Sequence, residues 1–353
     1  MFVGGGRTAE LVWPVTEEIR DAIASGGPVA FERFMELALY GEQGFYMRAD
    51  GGSAGRRGDF ITSPEVGPLF GAVVARYLDA EWERIGRPDE FTVVDVGAGP
   101  GTLARSVLAA RPSCADALRY VAVEISDAQR ARHPDGIESV AVLPSSPIDG
   151  VVIANELLDN LPFRLAVFDN GWREAFVDLD ASRRFVEVLS APFDPVPTTL
   201  PPNPTLGARA PLIEQASATI AGARTMLRAG SVVAIDYGAA RTALLAGRPW
   251  RDWLRTYRDN ERGDHYLSDP GTQDITIDVP FDQLPEPDAI RSQSQFLQRW
   301  GIDELVEEGK RVWAEQASGP GLEAMKMRSR VSEAEALLEP AGLGGFLVAE
   351  WRA

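Results

Sequence analysis

The sequence contains a single cysteine, Cys114, and only two histidines, His133 and His265. One cysteine excludes an intrachain disulfide bond and a metal site with several thiolates, and two histidines argue against an imidazole-rich metal site. We therefore expect no bound metal. No apolar run reaches the length of a membrane span, and residues 1–14 lack the pattern of a secretory signal. These absences favour a cytoplasmic protein that does not bind membranes.

Basic residues are scarce relative to acidic ones. The 353-residue chain has 35 Lys and Arg against 52 Asp and Glu, which gives a formal net charge of −17 at pH 7. This balance argues against non-specific binding to nucleic acid or to an anionic membrane, because both need a basic surface. It is compatible with a cationic substrate, although charge alone does not decide the function.

The most informative stretch that is present is a glycine-rich turn after a run of β-branched residues, Val93 to Thr102. It contains Gly97, Gly99 and Gly101, and glycine allows the backbone to take a positive φ or to approach a ligand closely. The free N–H groups of the following helix face whatever lies above the strand. The run therefore predicts a nucleotide-like cofactor at the carboxyl edge of a parallel sheet. A turn that only tightens the packing of strand and helix is the alternative.

The spacing of the glycines indicates which cofactor is bound. Thr102 stands where the dinucleotide fingerprint has its third glycine, so a pyrophosphate cofactor is disfavoured. The next predicted strand ends in Glu124, an acid placed to bind ribose hydroxyls. With an acid before the turn as well, the pattern resembles the nucleoside site of class I S-adenosylmethionine methyltransferases. The resemblance implies that the cofactor S-adenosyl-L-methionine is bound by Asp95, Gly97, Gly99, Gly101, Glu124 and Ile125.

Alternating strands and helices predict an α/β fold with a Rossmann-like sheet of seven strands, mostly parallel. Residues 29–40 and 68–84 are predicted to be helices before the sheet. The last two strands would form an antiparallel pair that completes a methyltransferase sheet. The seven strands are predicted at 91–97, 119–124, 138–143, 150–155, 231–238, 289–292 and 345–350.

We divide the chain into six segments. The alternation of polar and apolar residues around Asp169-Asn170-Gly171 is typical of a β-hairpin inserted into the core. A helical run forms a second insertion. The segments are an N-terminal helical part with a cofactor-covering loop (1–88), the first half of the core (89–162), the hairpin and a proline-rich linker (163–211), the second half of the core with substrate-side loops (212–295), the helical insertion (296–340) and the final core strand (341–353).

Six stretches carry further motifs: Gly27-Pro28-Val29-Ala30-Phe31 with Ala38-Leu39-Tyr40, Gly58-Asp59-Phe60-Ile61-Thr62-Ser63-Pro64-Glu65, the glycine turn with Val123-Glu124-Ile125-Ser126, Ala154-Asn155-Glu156-Leu157-Leu158-Asp159-Asn160-Leu161-Pro162, Ile235-Asp236-Tyr237-Gly238, and Asp269-Pro270-Gly271-Thr272-Gln273-Asp274. In this order they resemble the MidA-like methyltransferases, the family of the mitochondrial complex I assembly-factor protein arginine methyltransferase. The second and fourth stretches are the most diagnostic, because ordinary class I methyltransferases lack them. The resemblance implies methylation of an arginine side chain on a protein partner.

The resemblance also implies roles for residues near the substrate. Glu156 and Asp159, after the fourth strand, would act in catalysis by pairing with the guanidinium and concentrating its charge away from the reacting nitrogen. Asn155 would offer its amide to the cofactor. The hydroxyls of Thr62 and Ser63 would bind the methionine carboxylate and cap the helix that follows. For the acidic stretch, the alternative is a helix start with Asn155 as its N-cap.

Three further residues are candidates in the same way. Asp59 is predicted to contact the substrate, Tyr237 to line the pocket, and His265 to act in catalysis near the substrate entrance. A packed core tyrosine and a structural histidine are the alternatives for the last two. His133 is interpreted as a surface loop residue.

We therefore predict an S-adenosylmethionine-dependent methyltransferase that modifies an arginine side chain of a protein. A small-molecule O- or N-methyltransferase and a cofactor-binding assembly factor with little turnover are the alternatives. A nicotinamide oxidoreductase is disfavoured by the glycine spacing. The expected partner is a protein or small-molecule methyl acceptor, without nucleic acid or membrane, and a homodimer is compatible with the sequence.

Overall fold

Helices and strands alternate along the part of the chain that the computed structural model describes, which is residues 14–48, 62–258, 261–316 and 321–353. The helices are α1 (Pro14–Gly26), α2 (Phe31–Tyr40), α3 (Ser63–Val66), α4 (Pro68–Arg84), α5 (Thr102–Ala110), α6 (Asp127–Arg130), α7 (Glu214–Met226), α8 (Thr242–Ala246), α9 (Gln293–Arg299), α10 (Ile302–Glu315) and α11 (Leu322–Leu338). The strands are β1 (Val29–Ala30), β2 (Phe91–Val96), β3 (Leu118–Val123), β4 (Glu138–Val140), β5 (Ile148–Asn155), β6 (Arg164–Phe168), β7 (Trp172–Leu179), β8 (Phe185–Pro192), β9 (Arg209–Leu212), β10 (Leu227–Asp236), β11 (Gly238–Ala239), β12 (Leu254–Arg258), β13 (Glu261–Arg262), β14 (Asp274–Ile277), β15 (Val279–Pro280), β16 (Ala289–Ser292) and β17 (Leu347–Arg352).

A seven-stranded sheet forms the centre of the fold, in the order β16-β17-β10-β5-β2-β3-β4. The five strands from β10 to β4 run parallel, whereas β17 is antiparallel to both of its neighbours. Val94 of β2 lies opposite Val121 of β3 and Val152 of β5, and all three are fully buried. Such runs of β-branched residues suit a sheet that is covered on both faces. The predicted fold class is confirmed.

Each face of this sheet packs against its own set of helices. The side chains of Val94, Val121 and Val152 belong to a core shared with α1, α2 and α7. The alternate residues Val93 and Val151 belong to a second core with α4, α5 and α9 to α11. Because side chains alternate along a strand, one stretch of sequence supplies both cores. The carboxyl ends of the parallel strands are therefore held rigidly from both sides.

The inserted hairpin is part of a larger antiparallel sheet. Strands β6 and β7 are joined at Asn170 and Gly171, as the turn signal predicts, and β8 and β9 pair beside them. The prediction of a helix over residues 29–40 is wrong at its start, since Val29 and Ala30 form β1 and pair with Phe176 and Val177 of β7. The N-terminal segment and the insertion thus share one sheet.

The predicted helical insertion is made of α9, α10 and α11, which pack beside α4. Glu333 of α11 is buried and accepts a hydrogen bond at 2.9 Å from the backbone N–H of Leu69, near the start of α4. An acceptor at this point satisfies one of the free N–H groups of the helix. Among the described helices, none is both long and apolar enough to cross a bilayer.

Candidate active site

The glycine turn lies where β2 meets α5. Gly97, Gly99 and Gly101 have φ values of +71°, +53° and +76°, a region that other residues rarely adopt. The N–H groups of Gly97 and Ala98 both donate to the carbonyl of Val123 on the neighbouring strand. The turn is therefore fixed to the ends of two adjacent strands, and it leaves the space above them open.

Glu124 follows β3 and is bound to the same turn. Its carboxylate accepts hydrogen bonds from the backbone N–H groups of Gly99, at 3.0 Å, and Ser126, at 2.8 Å. Burial raises its pKa, and the backbone N–H donors oppose that shift. The next residue, Ile125, exposes 46% of its surface. An acidic group and an uncovered apolar side chain thus lie side by side at this sheet edge.

A cavity of about 470 Å³ lies over the carboxyl ends of β2, β3 and β5, within the range of small-molecule sites. The structure brings most of the predicted cofactor residues into its wall. The segment 141–143, predicted as the end of a strand, instead lines the cavity beyond β4. Among the lining residues are Glu36, Tyr40, Tyr46, Thr62, Glu65, Asp95, Gly97, Gly99, Glu124, Ile125, Val142, Asn155, Glu156, Asn160, Gln215 and Thr219.

The wall of this cavity is acidic. Five carboxyl groups line it, and no Lys, Arg or His is found among the lining residues that the structure describes. Glu36 pairs with Arg33 at 2.6 Å. Carboxylates that carry their charge in a cavity attract cations, because little solvent screens them there. The five are Glu36, Glu65, Asp95, Glu124 and Glu156.

Asp95 is buried beneath the glycine turn. Its carboxyl group accepts a hydrogen bond from the hydroxyl of Tyr120 at 2.9 Å, and only 3% of its surface is exposed. Burial raises its pKa to about 7, although the bond from Tyr120 opposes the shift. The role of Asp95 in holding the cofactor stays a prediction.

Glu156 directly follows β5 and faces the same cavity. One carboxylate oxygen, Oε1, accepts hydrogen bonds from the N–H of Ser63 at 2.7 Å and from the amide of Asn155 at 3.4 Å. Burial raises its pKa to about 8. The residue has a φ of +50°, which costs about 1–2 kcal/mol for a side chain other than glycine. A turn follows it, so the alternative of a helix capped by Asn155 is wrong.

Asp159 and Tyr237 lie behind this wall rather than in it. Asp159 is buried, and its Oδ2 accepts hydrogen bonds from the hydroxyls of Tyr237 and Thr276. Neither Asp159 nor Tyr237 lines the cavity, so the prediction that Tyr237 lines the pocket is wrong. The phenol turns away because its hydroxyl is bound to these two partners. The guanidinium of Arg255 lies 5.0 Å from the centre of the Tyr237 ring.

His265 is also placed outside the cavity. Its ring packs against those of Trp250 and Tyr266, with centroid distances of 5.4 and 4.2 Å, and its Nδ1 accepts the N–H of Leu267 at 3.2 Å. Burial lowers its pKa. These contacts match the structural alternative for this histidine. Asp59 lies outside the described residues.

The structure agrees with only part of the prediction for Thr62 and Ser63. Thr62 lines the cavity, but its side chain makes no capping hydrogen bond, so the prediction of a side-chain cap is wrong. The hydroxyl of Ser63 donates at 3.1 Å to Gln293, at the start of α9, and its backbone N–H donates to Glu156. Ser63 therefore fixes Glu156, and its role in binding the methionine carboxylate stays a prediction.

Several residues at the site were missed by the sequence analysis. Glu65 accepts a hydrogen bond from the Thr102 hydroxyl at 2.5 Å, which ties α3 to the start of α5. His133 is not a simple surface residue, since its Nε2 donates to the carbonyl of Gly99 at 2.8 Å. Tyr40 and Tyr46 line the cavity, with ring centroids 5.6 Å apart. Of these contacts, only the one between Glu65 and Thr102 is indicated by the sequence, because Thr102 stands where the dinucleotide fingerprint has its third glycine.

The family model Methyltransf_28, which describes S-adenosyl-L-methionine-dependent methyltransferases, matches residues 73–297 of the chain. The chain belongs to this MidA-like methyltransferase family. S-adenosyl-L-methionine is thus the cofactor of the methyltransferase, in agreement with the prediction.

Similar proteins support the same assignment. A crystal structure of a Burkholderia thailandensis protein bound to S-adenosyl-homocysteine matches the methyltransferase with a TM-score of 0.81 and 26% identity, over 96% of this chain and 92% of that chain. "Protein arginine methyltransferase NDUFAF7 homolog, mitochondrial" of Drosophila melanogaster is 29% identical over 309 residues, 76% of this chain and 68% of the relative. The human "Protein arginine methyltransferase NDUFAF7, mitochondrial" is 26% identical over 356 residues, 86% of this chain and 77% of the relative.

Replacing Gly99 with valine is expected to abolish cofactor binding by the methyltransferase. A Cβ at Gly99 would meet no described atom within 4 Å, so the side chain would occupy open space beside the cavity. The positive φ should also lower the free energy of unfolding by about 1–2 kcal/mol. Gly86→Val is a matched control, because Gly86 has a φ of +91° and the same open space, but lies in the loop before β2. Calorimetry should show that the control variant binds S-adenosyl-L-methionine with wild-type affinity. Equal affinity in both variants would contradict the placement of the cofactor beside Gly99.

The free energy of unfolding of the cofactor-free methyltransferase is expected to fall as the pH rises from about 4 to about 8. Burial raises the pKa of Asp95 and Asp274 to about 7 and that of Glu156 to about 8. The folded state then binds more protons than the unfolded state across this range, at about 1.4 kcal/mol per pH unit for each fully responding group. Urea unfolding between pH 5 and 8.5 measures the slope. Asp274→Asn should flatten it, and stability that rises with pH would contradict the expectation.

Proposed function

We propose that the methyltransferase transfers the methyl group of S-adenosyl-L-methionine to an arginine side chain of a partner protein. The acidic wall of the cavity, five carboxyl groups without a basic residue among the described lining residues, is the observation that carries this proposal. The cofactor accounts for part of that charge, since it carries a sulfonium and an ammonium. A cationic acceptor accounts for the rest. The names of the curated relatives give the same acceptor.

The cofactor fits one end of the cavity. Glu124 keeps acceptor positions that are not used by its backbone donors, and these suit the ribose hydroxyls. Ile125 and Val142 line the same end and expose 46% and 74% of their surfaces, although both are large apolar residues. An adenine ring between them would cover this apolar surface. When bound, the cofactor supplies an electrophilic methyl group on a positively charged sulfur.

The acceptor would enter from the opposite end. The wall of the same cavity includes Glu156, Tyr40, the half-buried Glu36 of α2 and the exposed Gln215 of α7. A long side chain that enters here from the surface of another protein can reach Glu156. An arginine side chain has both the required length and the charge.

Glu156 then prepares the guanidinium for reaction. An arginine guanidinium is a weak nucleophile, because its lone pairs are delocalised and its pKa exceeds about 12. A carboxylate that accepts two of its N–H groups draws the positive charge toward itself and away from the third nitrogen. That nitrogen forms the new N–C bond while the S–C bond breaks and its electron pair stays on the sulfur, which gives S-adenosyl-homocysteine. The methylated nitrogen then loses a proton to water.

Incubation of the methyltransferase with methyl-labelled S-adenosyl-L-methionine and a protein extract tests the proposal. After complete hydrolysis of the labelled protein, the account predicts label in methylarginine. Label in methyllysine, or only in small molecules, would exclude the proposed acceptor. Binding of the cofactor without any labelled product would favour an assembly factor with little turnover. The reaction with Glu156→Gln is the control, because it should bind the cofactor and give no labelled arginine.

The remaining predictions concern the surroundings of the protein. A cytoplasmic location, which rests on the sequence features given above, and a homodimer, with which the sequence is compatible, stay predictions. The curated relatives are named as mitochondrial proteins. Fractionation of cells that express the tagged chain tests the first, and sedimentation of the purified protein tests the second.

A further inference from the structure

We infer that Asp236 is a positioning residue for methyl transfer, because it holds the turn that carries Glu156. The inference rests on the function proposed above, in which Glu156 binds the acceptor. Asp236 is the last residue of β10 and is completely buried. It does not line the cavity. Any effect on the reaction therefore passes through other residues.

The carboxyl group of Asp236 accepts hydrogen bonds from the backbone N–H groups of the turn after Glu156. Its Oδ2 accepts hydrogen bonds from the N–H groups of Leu158 at 2.8 Å, Leu157 at 3.2 Å and Asp159 at 3.4 Å. Its Oδ1 accepts the N–H of Tyr237 at 3.0 Å. Successive backbone N–H groups that converge in this way form an anion-binding nest, and here a side chain of the same protein fills it.

A second contact from the same strand end fixes Glu156 from the other side. The N–H of Glu156 donates to the carbonyl of Ile235 at 2.8 Å. The backbone is thus held at Glu156 itself by the hydrogen bond to Ile235, and just after Glu156 by the three hydrogen bonds to Asp236. These four bonds oppose the relaxation of a residue whose φ is +50°. They explain why a glutamate can occupy a left-handed position that normally needs glycine.

This geometry decides where the Glu156 carboxylate points. With its backbone held by β10, one oxygen is bound to the N–H of Ser63 on α3. The residue is in this way supported by two elements that are far apart in sequence. Reactions that depend on aligned atoms lose about 100-fold in rate for a displacement of about 1 Å. Loosening of the turn should therefore reduce the rate much more than the affinity for the cofactor.

Asp236→Asn and Asp236→Ala test the inference in the full-length protein. Asparagine keeps the volume and one oxygen acceptor but turns an NH₂ group toward the backbone donors. We expect kcat to fall about 10- to 100-fold in Asp236→Asn and further in Asp236→Ala. Calorimetry with S-adenosyl-homocysteine should give an affinity within about twofold of wild type and full stoichiometry, since Asp95, the glycine turn and Glu124 lie at the ends of β2 and β3.

The pH profile separates positioning from a general loss of structure. Burial keeps the pKa of Glu156 at about 8, and the negative charge of Asp159 also raises it. A released turn exposes Glu156 to water, which lowers its pKa, and loss of the Asp236 charge acts in the same direction. The rising limb of kcat/KM should therefore move to lower pH in Asp236→Asn, and only a shift that accompanies the fall in kcat supports the positioning role. Asp274→Asn is the matched control. Asp274 is equally enclosed and accepts hydrogen bonds from the side chains of Tyr46 and Asn160, but from none of the backbone N–H groups of residues 157–159, so its loss should leave the rising limb in place.

The outcomes distinguish this inference from the proposed function. If Glu156→Gln is inactive while Asp236→Asn keeps wild-type kcat and pH profile, the positioning role of Asp236 is wrong and the function stands. An equal shift of the limb in Asp274→Asn would also overturn the inference. If Glu156→Gln methylates arginine normally, the proposed role of Glu156 is wrong, and the inference about Asp236, which rests on it, is wrong as well. If Asp236→Ala does not fold, the isosteric asparagine variant decides.

Discussion

Replacing Glu156 with glutamine is expected to reduce methyl transfer to arginine by about 100- to 1,000-fold. Removal of one partner from an enclosed charge pair costs about 2–5 kcal/mol, because the other charge is left without compensation. A glutamine side chain has nearly the same shape, but its NH₂ group would face the N–H groups of the guanidinium. The cofactor affinity should stay within about twofold of wild type, since Glu124 and the glycine turn are unchanged.

Initial rates with labelled cofactor, measured from pH 6 to 9, test this expectation. Because burial raises the pKa of Glu156 to about 8, the wild-type kcat/KM should rise through that pH as the carboxylate forms. This limb should be missing in the variant. Asp149→Asn is a suitable control, because Asp149 lies at the other end of β5 and pairs with Arg228 on the surface. Full activity of Glu156→Gln would remove the guanidinium contact from the account.

Replacing Glu124 with alanine is expected to weaken cofactor binding by about 100-fold or more. Two hydrogen bonds from ribose hydroxyls to a carboxylate contribute about 1.5–3 kcal/mol each, and each 1.4 kcal/mol is about tenfold in affinity. The variant also leaves the N–H of Gly99 without its acceptor, which loosens the glycine turn. Both effects act on the same ligand.

Calorimetric titration with S-adenosyl-homocysteine measures the loss. Glu138→Ala is the matched control, because Glu138 is an acid on the neighbouring strand β4 that pairs with Arg119 on the surface. It should bind with wild-type affinity. A Glu124→Ala protein that is folded and binds as tightly as wild type would show that the ribose lies elsewhere.

The parts of the fold that sequence predicts correctly are those encoded by short segments. The β-branched run before Gly97, the glycine turn and the acid after the next strand lie within about one strand–helix–strand unit, whose geometry is determined locally. The glycine turn and Glu124 were therefore found together, and the structure places both in the cavity wall.

The errors concern residues whose placement depends on contacts distant in sequence. Tyr237 follows a sheet strand and was expected in the pocket, but its hydroxyl is bound to Asp159 and Thr276, 78 and 39 positions away. Pairing of β1 with β7 likewise converts the start of a predicted helix into a strand. The bond between Ser63 and Glu156 joins residues 93 positions apart. Periodicity and turn signals contain no information on such pairs.

A crystal structure of the methyltransferase with S-adenosyl-homocysteine would test the central claim most directly. The account predicts that both ribose hydroxyls lie within hydrogen-bond distance of Glu124 and that the sulfur faces Glu156 across the cavity. A homocysteine sulfur directed away from Glu156, or a ribose bound where Glu124 cannot reach it, would contradict the account.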